Sequence, residues 1–288
     1  MSKIKVHTKT SLSSDLAISD LLAKAESKIG SISESPKLDS QLLLSKLLKR
    51  PREWLIAHGE CELDSESISN FELLLEKRLS GYPIAYILGT RSFWRRDFHV
   101  SPHVLVPRPE TELLVETLLA RLAPQEQRIV DLGTGSGAIA ISIAAERPAW
   151  IVTGIDRSPD AIAVARRNSK ELSNIELKAG NWCDGIVSQS VDAIVSNPPY
   201  LRNDDPHLVK LKYEPKDALV AGAEGLEAIE KIVPNAYGCL KHGGLLLIEH
   251  GYNQQDSVME IYRRARFKCV SGIRDLNNLP RCVLGYRL

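Results

Sequence analysis

Between residues 15 and about 80, apolar side chains recur every three or four positions, the spacing of helices packed on one face. The stretch DLAISDLLAKAESKIG sets Ile18, Leu21, Leu22, Ala25 and Ile29 along one stripe. PKLDSQLLLSKLLKR opens with Pro36, suited to a first helical turn, and repeats Leu38, Leu42, Leu43 and Leu47. DSESISNFELLLEKRLSG offers Asp64 or Ser65 as a cap and aligns Ile68, Phe71, Leu75 and Leu79 before Gly81 and Pro83 stop it. With a short helix at REWLIAH, the pattern predicts an all-helical bundle of four or five helices over residues 15–90.

The period changes near residue 91. SFWRRDFHVSPHVLVP places Trp94, Arg96, Phe98 and Val100 at alternate positions and then adds a second short apolar run, predicting a hairpin that links the halves over 91–106. RPETELLVETLLARL reads as a helix with Pro109 near its first turn. Beyond it, short apolar runs and helical patterns take turns. RIVDLG, WIVTGID, NIELKA, VDAIVS, GGLLLIEHG and RCVLGYRL are expected strands. GAIAISIAAERP, PDAIAVARRNSKEL and residues 253–266 are expected helices, and GLEAIEKIVPNAYGCL is expected to be kinked or split at Pro234. Strands alternating with helices predict an α/β fold built on a parallel, doubly wound sheet over 107–288.

Composition narrows the class. The 288 residues are 43% apolar and 25% charged, ordinary for a globular chain, and no apolar run is long enough to cross a bilayer. Residues 1–14 are polar with three lysines and read as a loose tail; a transit peptide would be expected to carry arginine, which is absent there. Five cysteines without a CxxC spacing point to reduced thiols in a cytoplasmic setting, with neither a disulfide framework nor a zinc site. His99 and His103 make no metal pair, because Pro102 breaks any helix that would align them. Residues 1–90 carry 12 basic and 12 acidic side chains and the rest 25 and 24, so no half is a polybasic surface for nucleic acid.

Chemistry gathers at two places. VDLGTGSGAIA puts Gly133, Gly135 and Gly137 between a strand and a helix, where backbone can approach a ligand closely. Asp156 ends the next strand, 19 residues after Gly137, placed to accept both hydroxyls of an adenosine ribose. The spacing is G-x-G-x-G with Asp131 ahead of it, unlike the pyrophosphate-binding G-x-G-x-x-G, and no Walker lysine follows.

The second place is Asn197-Pro198-Pro199-Tyr200, where an apolar strand stops at two prolines. Asn197 and Pro198 each precede a proline and favour extended backbone, so the run is stiff and its carbonyls have no ladder partners. The Asn197 side-chain oxygen and the Pro198 carbonyl then form two fixed acceptors, and Tyr200 offers a ring face. Such a pair can grip both N–H groups of a planar NH2 whose lone pair is withdrawn by resonance, and can stabilise charge that develops when that nitrogen is alkylated.

The glycine loop with its two acids resembles the first motif of S-adenosylmethionine (SAM)-dependent methyltransferases, and S-N-P-P-Y resembles the motif of those that methylate amino groups of adenine, guanine or glutamine. GYPIAYILGTRSFW (81–94), VLVPRPETE (104–112) and YEPKDALVAGAEGL (213–226) are similar to segments of the peptide-chain release factor glutamine methyltransferases, the HemK/PrmC family. The likeness runs from about residue 12 and implies a Rossmann-like, seven-stranded methyltransferase domain preceded by the helical bundle and a hairpin linker. It implies methylation of the glutamine N5 in the Gly-Gly-Gln motif of class I release factors, with the bundle docking that protein. Gly133, Thr134, Gly135, Ser136 and Gly137 would line the methionine and ribose of the cofactor, with Asp156 on the ribose. Trp182 would lie beside the adenine or pack the core, and Phe93, Pro107 and Glu110 match segments near the cofactor. Asn197, Pro198, Pro199 and Tyr200 would hold the glutamine amide. Tyr82 and DLNNLPRCV depart from the family pattern, which puts the last hairpin in question. The expected protein is a cytoplasmic monomer without a metal; the competing reading is a nucleic-acid amino-methyltransferase acting on adenine N6 or guanine N2.

Overall fold

The computed structural model describes residues 16–288, so the expected tail at 1–14 lies outside the described residues. It divides after Leu88 into two compact units. In the first, β1 (Leu16–Ala17) leads into α1 (Ile18–Ile29), α2 (Pro36–Leu48), α3 (Arg52–Ala57), β2 (Glu62–Leu63), α4 (Ser65–Leu79) and α5 (Ile84–Leu88). The two short strands pair antiparallel through Leu16–Leu63 and Ala17–Glu62, a small exception to the all-helical reading.

The unit's core joins Ile18, Leu21, Ala25 and Ile29 of α1 to Leu43, Leu44, Leu55, Phe71, Leu75 and Ile87. Asp64 caps α4, its carboxylate accepting the Ser67 N–H at 2.8 Å. The face of α2 differs from expectation: Leu38 is exposed, while Asp39, Ser40 and Gln41 are buried beside Leu43 and Leu44. Partners explain this. Asp39 accepts from Arg78 at 2.9 Å and from Ser33 at 2.8 Å, and Gln41 accepts two hydrogen bonds from Arg52, so their burial leaves no bare polar group.

The second unit opens with the hairpin of β3 (Thr90–Phe93) and β4 (Arg96–His99). The expected alternation from Trp94 fails, because Trp94 sits in the turn with φ +55°. Phe93 and Phe98 are the inward residues, and both join the core of this unit. Then follow α6 (Glu112–Arg121), β5 (Arg128–Leu132), α7 (Ala138–Glu146), β6 (Ile151–Asp156), α8 (Pro159–Asn168) and β7 (Ile175–Ala179). The chain continues through β8 (Val191–Ser196), β9 (Leu201–Arg202), β10 (Val220–Gly222), α9 (Glu227–Cys239), β11 (Leu240–Glu249), α10 (Gln255–Arg264), β12 (Lys268–Arg274) and β13 (Pro280–Tyr286).

Seven strands form one sheet in the order β12-β13-β11-β8-β5-β6-β7. All neighbours are parallel except β13, which runs antiparallel to both β11 and β12. Alternate residues feed two cores, as a sheet covered on both faces requires. Ile129, Ala193, Val195, Leu245 and Leu247 meet α6 and α7; Val130, Ile194, Leu246 and Ile248 meet α9 and α10. β12 has no counterpart among the strands read from hydrophobic pattern. The basic stretch YRRARFK (262–268) falls across the α10–β12 boundary, with α10 ending at Arg264, Arg266 turning at φ +72°, and a mostly exposed edge strand beginning at Lys268. α9 runs unbroken through Pro234, whose ring faces solvent, so that helix is not split.

The order of connection reverses around β5, which has β6 on one side and β8 on the other. Chain segments leaving the carboxyl ends of β5, β6 and β8 therefore diverge and leave a crevice between them.

Candidate active site

A cleft of about 490 Å³ opens at this point, a size usual for small-molecule sites. Its first wall is the loop from β5 to α7. Gly133 and Thr134 both donate to the Ile155 carbonyl, at 2.8 and 3.0 Å, and Gly137 donates to the Thr134 carbonyl at 2.8 Å. Gly137 takes φ +82°, and a Cβ there would meet Ile141 at 2.6 Å, so glycine is required by both backbone and space. A Cβ on Gly133 would sit 3.4 Å from the Trp182 ring, within the mouth of the cleft.

Two carboxylates brace this wall differently. Asp156 lines the cleft and accepts from Gly135 N and Ser158 N, both at 2.9 Å, one on each oxygen. Each oxygen keeps a lone pair for a ligand hydroxyl. Asp131 is fully buried; one oxygen accepts from Thr134 Oγ1 at 2.6 Å and Ala140 N at 3.3 Å, and the other has no partner. Burial pushes its carboxyl up to about 7, against those hydrogen bonds.

The second wall follows β8. Asn197 Nδ2 donates to Thr111 Oγ1 at 3.0 Å, which leaves Oδ1 without that partner. No backbone N–H among the described residues donates to the Asn197 or Pro198 carbonyl. Tyr200 points its hydroxyl at Glu249 Oε1, 3.4 Å away, and its carbonyl accepts from Gln254 Nε2 at 3.1 Å. Gly225 permits that approach, since a Cβ there would lie 2.6 Å from the Tyr200 oxygen. Glu249 is 1% exposed, and burial pushes its carboxyl up to about 7 against the pull of Thr111 and Arg281. His250 beside it is buried, with its ring held below its usual range by desolvation.

Of the residues singled out in the sequence, Gly133, Gly135, Asp156, Trp182, Asn197 and Pro199 line the cleft. Thr134 and Ser136 are buried within the glycine loop, and Gly137 is the residue just before α7 behind it. Trp182 lines the cleft while packing against the core that α9 shares. Pro198 is buried between its neighbours. Phe93 is a core residue, 1% exposed and edge-on to Phe98, with no surface at the cleft. Pro107 is buried, and its neighbours Val106 and Arg108 both donate to Glu214. Glu110 lies close enough to Glu249 to add to the upward shift of that carboxyl. His99 and His103 face different partners, Arg167 and Asp160. Thr111 and Gln254 carry no signal in the sequence that marks them for the site, and neither Glu249 nor Glu214 stands in a motif of assigned role. The signal for Glu214 was present: it stands in one similar segment, YEPKDAL, and holds another, VLVPRPETE.

Comparison with known proteins bears on both units. A family model described as the PrmC N-terminal domain matches residues 20–89, and one described as Methyltransferase small domain matches residues 109–212. The release factor glutamine methyltransferase of Coxiella burnetii is 42% identical over 275 residues, spanning 94% of this chain and 99% of the relative. That of Pseudomonas aeruginosa is 44% identical over 257 residues, spanning 88% and 93%. That of Escherichia coli is 42% identical over the same length and shares. Among solved structures, a methyltransferase from Pyrococcus furiosus, 20% identical, covers 74% of this chain and 96% of its own with a TM-score of 0.51, which speaks to the fold alone.

Proposed function

The chain belongs to the release factor glutamine methyltransferase family, and from that premise we propose that it methylates N5 of the glutamine in the Gly-Gly-Gln loop of class I release factors. S-adenosylmethionine is the cofactor and supplies, when bound, an electrophilic methyl group on a sulfonium. Gly133, Gly135, Asp156 and Trp182 fit that group: they line one cleft, with Asp156 keeping free lone pairs and an aromatic ring beside a glycine.

The observation that carries the reading is the Asn197 amide, which is held through its nitrogen and therefore offers oxygen. Asn197 Oδ1 and the Pro198 carbonyl accept the two N–H groups of the substrate amide and hold its nitrogen with the lone pair out of the amide plane available. Both oxygens also stabilise the positive charge that grows on that nitrogen during transfer. Pro199 stiffens the run, and the Tyr200 ring packs on the planar amide. The helical unit docks the release factor, a role supported by its even charge, and the protein works as a cytoplasmic monomer. No helix among the described residues is long and apolar enough to cross a membrane.

Methyl transfer from labelled cofactor tests this. The acceptors are a purified release factor, its Gln→Ala loop variant, duplex DNA and structured RNA. Label is expected on the release factor and lost in the variant; label on nucleic acid alone would overturn the reading.

A further inference from the structure

We propose that Glu214 is a positioning residue that pins the connector of residues 99–111 at its middle and so holds the cofactor wall and the acceptor wall in one register. The acceptor half of the inference rests on the function proposed above.

The connector runs from the end of β4 to the start of α6, and residues 100–108 form neither helix nor strand. Its ends nevertheless reach both walls. At the near end, the Asn168 side chain of α8 accepts from His99 N at 2.8 Å and donates to the His99 carbonyl at 3.0 Å. The same Asn168 nitrogen donates to the Ser136 carbonyl of the glycine loop at 2.9 Å. Pro102 to Leu105 then line the cleft. At the far end, Thr111 N donates to the Arg108 carbonyl at 3.1 Å, and the Thr111 hydroxyl accepts from Asn197 Nδ2 at 3.0 Å. One irregular stretch is thus tied to the glycine loop at one end and to Asn197 at the other. With no ladder bonds of its own, it needs an outside hold.

Glu214 supplies that hold. The buried Val106 donates its N–H to Glu214 Oε2 at 3.0 Å, and Arg108 donates Nη2 to Oε1. Glu214 is 7% exposed, so each oxygen meets a donor where an unmatched one would be costly. Its two partners lie 108 and 106 positions back along the chain. The residues after it, Pro215 to Ala218, line the same cleft, and Asp217 pairs at 2.7 Å with Arg157, the neighbour of Asp156 in sequence. Glu214 therefore fastens one cleft-lining segment to another, three residues before the second one reaches Thr111 and Asn197. Only a carboxylate can do so, because two donors need two acceptors and a glutamine amide would set an N–H against one of them.

Glu214→Gln keeps the size and loses one acceptor. Its cofactor Kd, by calorimetry, is expected to rise about tenfold while kcat falls about 100-fold. In the full chain labelled with 15N-asparagine, the Asn197 side-chain NH2 signals should shift with neither cofactor nor release factor present. Arg108 has a side chain 34% exposed, so its replacement spares the fold. Arg108→Met should raise Kd about threefold and lower kcat about tenfold, and Arg108→Lys should restore most of both. Every variant is assayed well below its own melting temperature. A lowered melting temperature with wild-type Kd and kcat would make Glu214 a mere brace and overturn the inference, as would a change in only one of the two constants. Should Glu214→Gln fail to fold, the Arg108 pair decides on the same two constants. If the wild-type chain leaves release factor unlabelled, the proposed function falls, while cofactor Kd and the Asn197 signals still judge Glu214.

Discussion

The two walls of the cleft are built on opposite principles. The glycine-loop wall is a short piece of chain whose hydrogen bonds are mostly made by backbone, with Ile155 and Asp156 from the neighbouring strand completing it. The acceptor wall is made of side chains drawn from far apart: Asn197 reaches Thr111 across 86 positions, Tyr200 reaches Gln254 across 54 and Glu249 across 49. Both bury a carboxylate, Asp131 in one and Glu249 in the other, each raised to about 7. The glycine-loop wall thus rests on backbone groups and one carboxylate, all at neighbouring strand ends. The acceptor wall instead depends on side chains whose hydrogen-bond partners come from distant segments.

Substitutions can separate the walls. Asn197→Ala removes one of the two acceptors and should cut kcat about 1,000-fold while cofactor affinity, measured by calorimetry, stays within about twofold. A near wild-type rate would end the role assigned to the acceptor wall. Asp156→Ala strikes the other wall. It removes the proposed ligand contacts and also the ties to Gly135 and Ser158, so cofactor Kd should rise about tenfold or more, and the melting temperature should fall. Unchanged affinity would mean that the cofactor is held elsewhere.

The buried acids give a smaller, shared effect. Both carboxyls sit above their unfolded values of 3.8 and 4.5, so the folded chain keeps protons that the unfolded chain releases. Stability from these two groups is fully present below roughly pH 4 and is lost as pH rises through about 7. The melting temperature should therefore decline between pH 5 and 8, with a shallower slope in Asp131→Asn and in Glu249→Gln. Slopes unaltered in both variants would mean that neither acid is raised. The smallest change expected is Tyr200→Phe, which keeps the ring and loses only the long contact to Glu249; kcat should fall about threefold at most.

Legibility in the sequence follows the same division. Gly133, Gly135, Asp156 and Asn197-Pro198-Pro199-Tyr200 were readable because strand–loop–helix order and proline chemistry act over a few residues. Thr111 was not, since a threonine at the start of a helix has many uses and nothing local marks its partner. The buried face of α2 was obscured by leucines at six of its thirteen positions, so that Arg78 and Arg52, closing Asp39 and Gln41, decided which side turned inward. β12 left no apolar alternation because it is an edge strand with most residues in water. Trp94 broke the expected hairpin face because its positive φ places it in the turn, a backbone choice invisible to side-chain pattern.

From sequence alone came the two-part organisation, the alternating strands and helices, and the two motifs at strand ends, because each depends on periodicity and on residues adjacent in the chain. Only the tertiary structure decided which group the Asn197 amide meets, since its nitrogen donates to the Thr111 hydroxyl from 86 positions away. Hydrogen-bond polarity is a property of the assembled neighbourhood, and no single segment carries it.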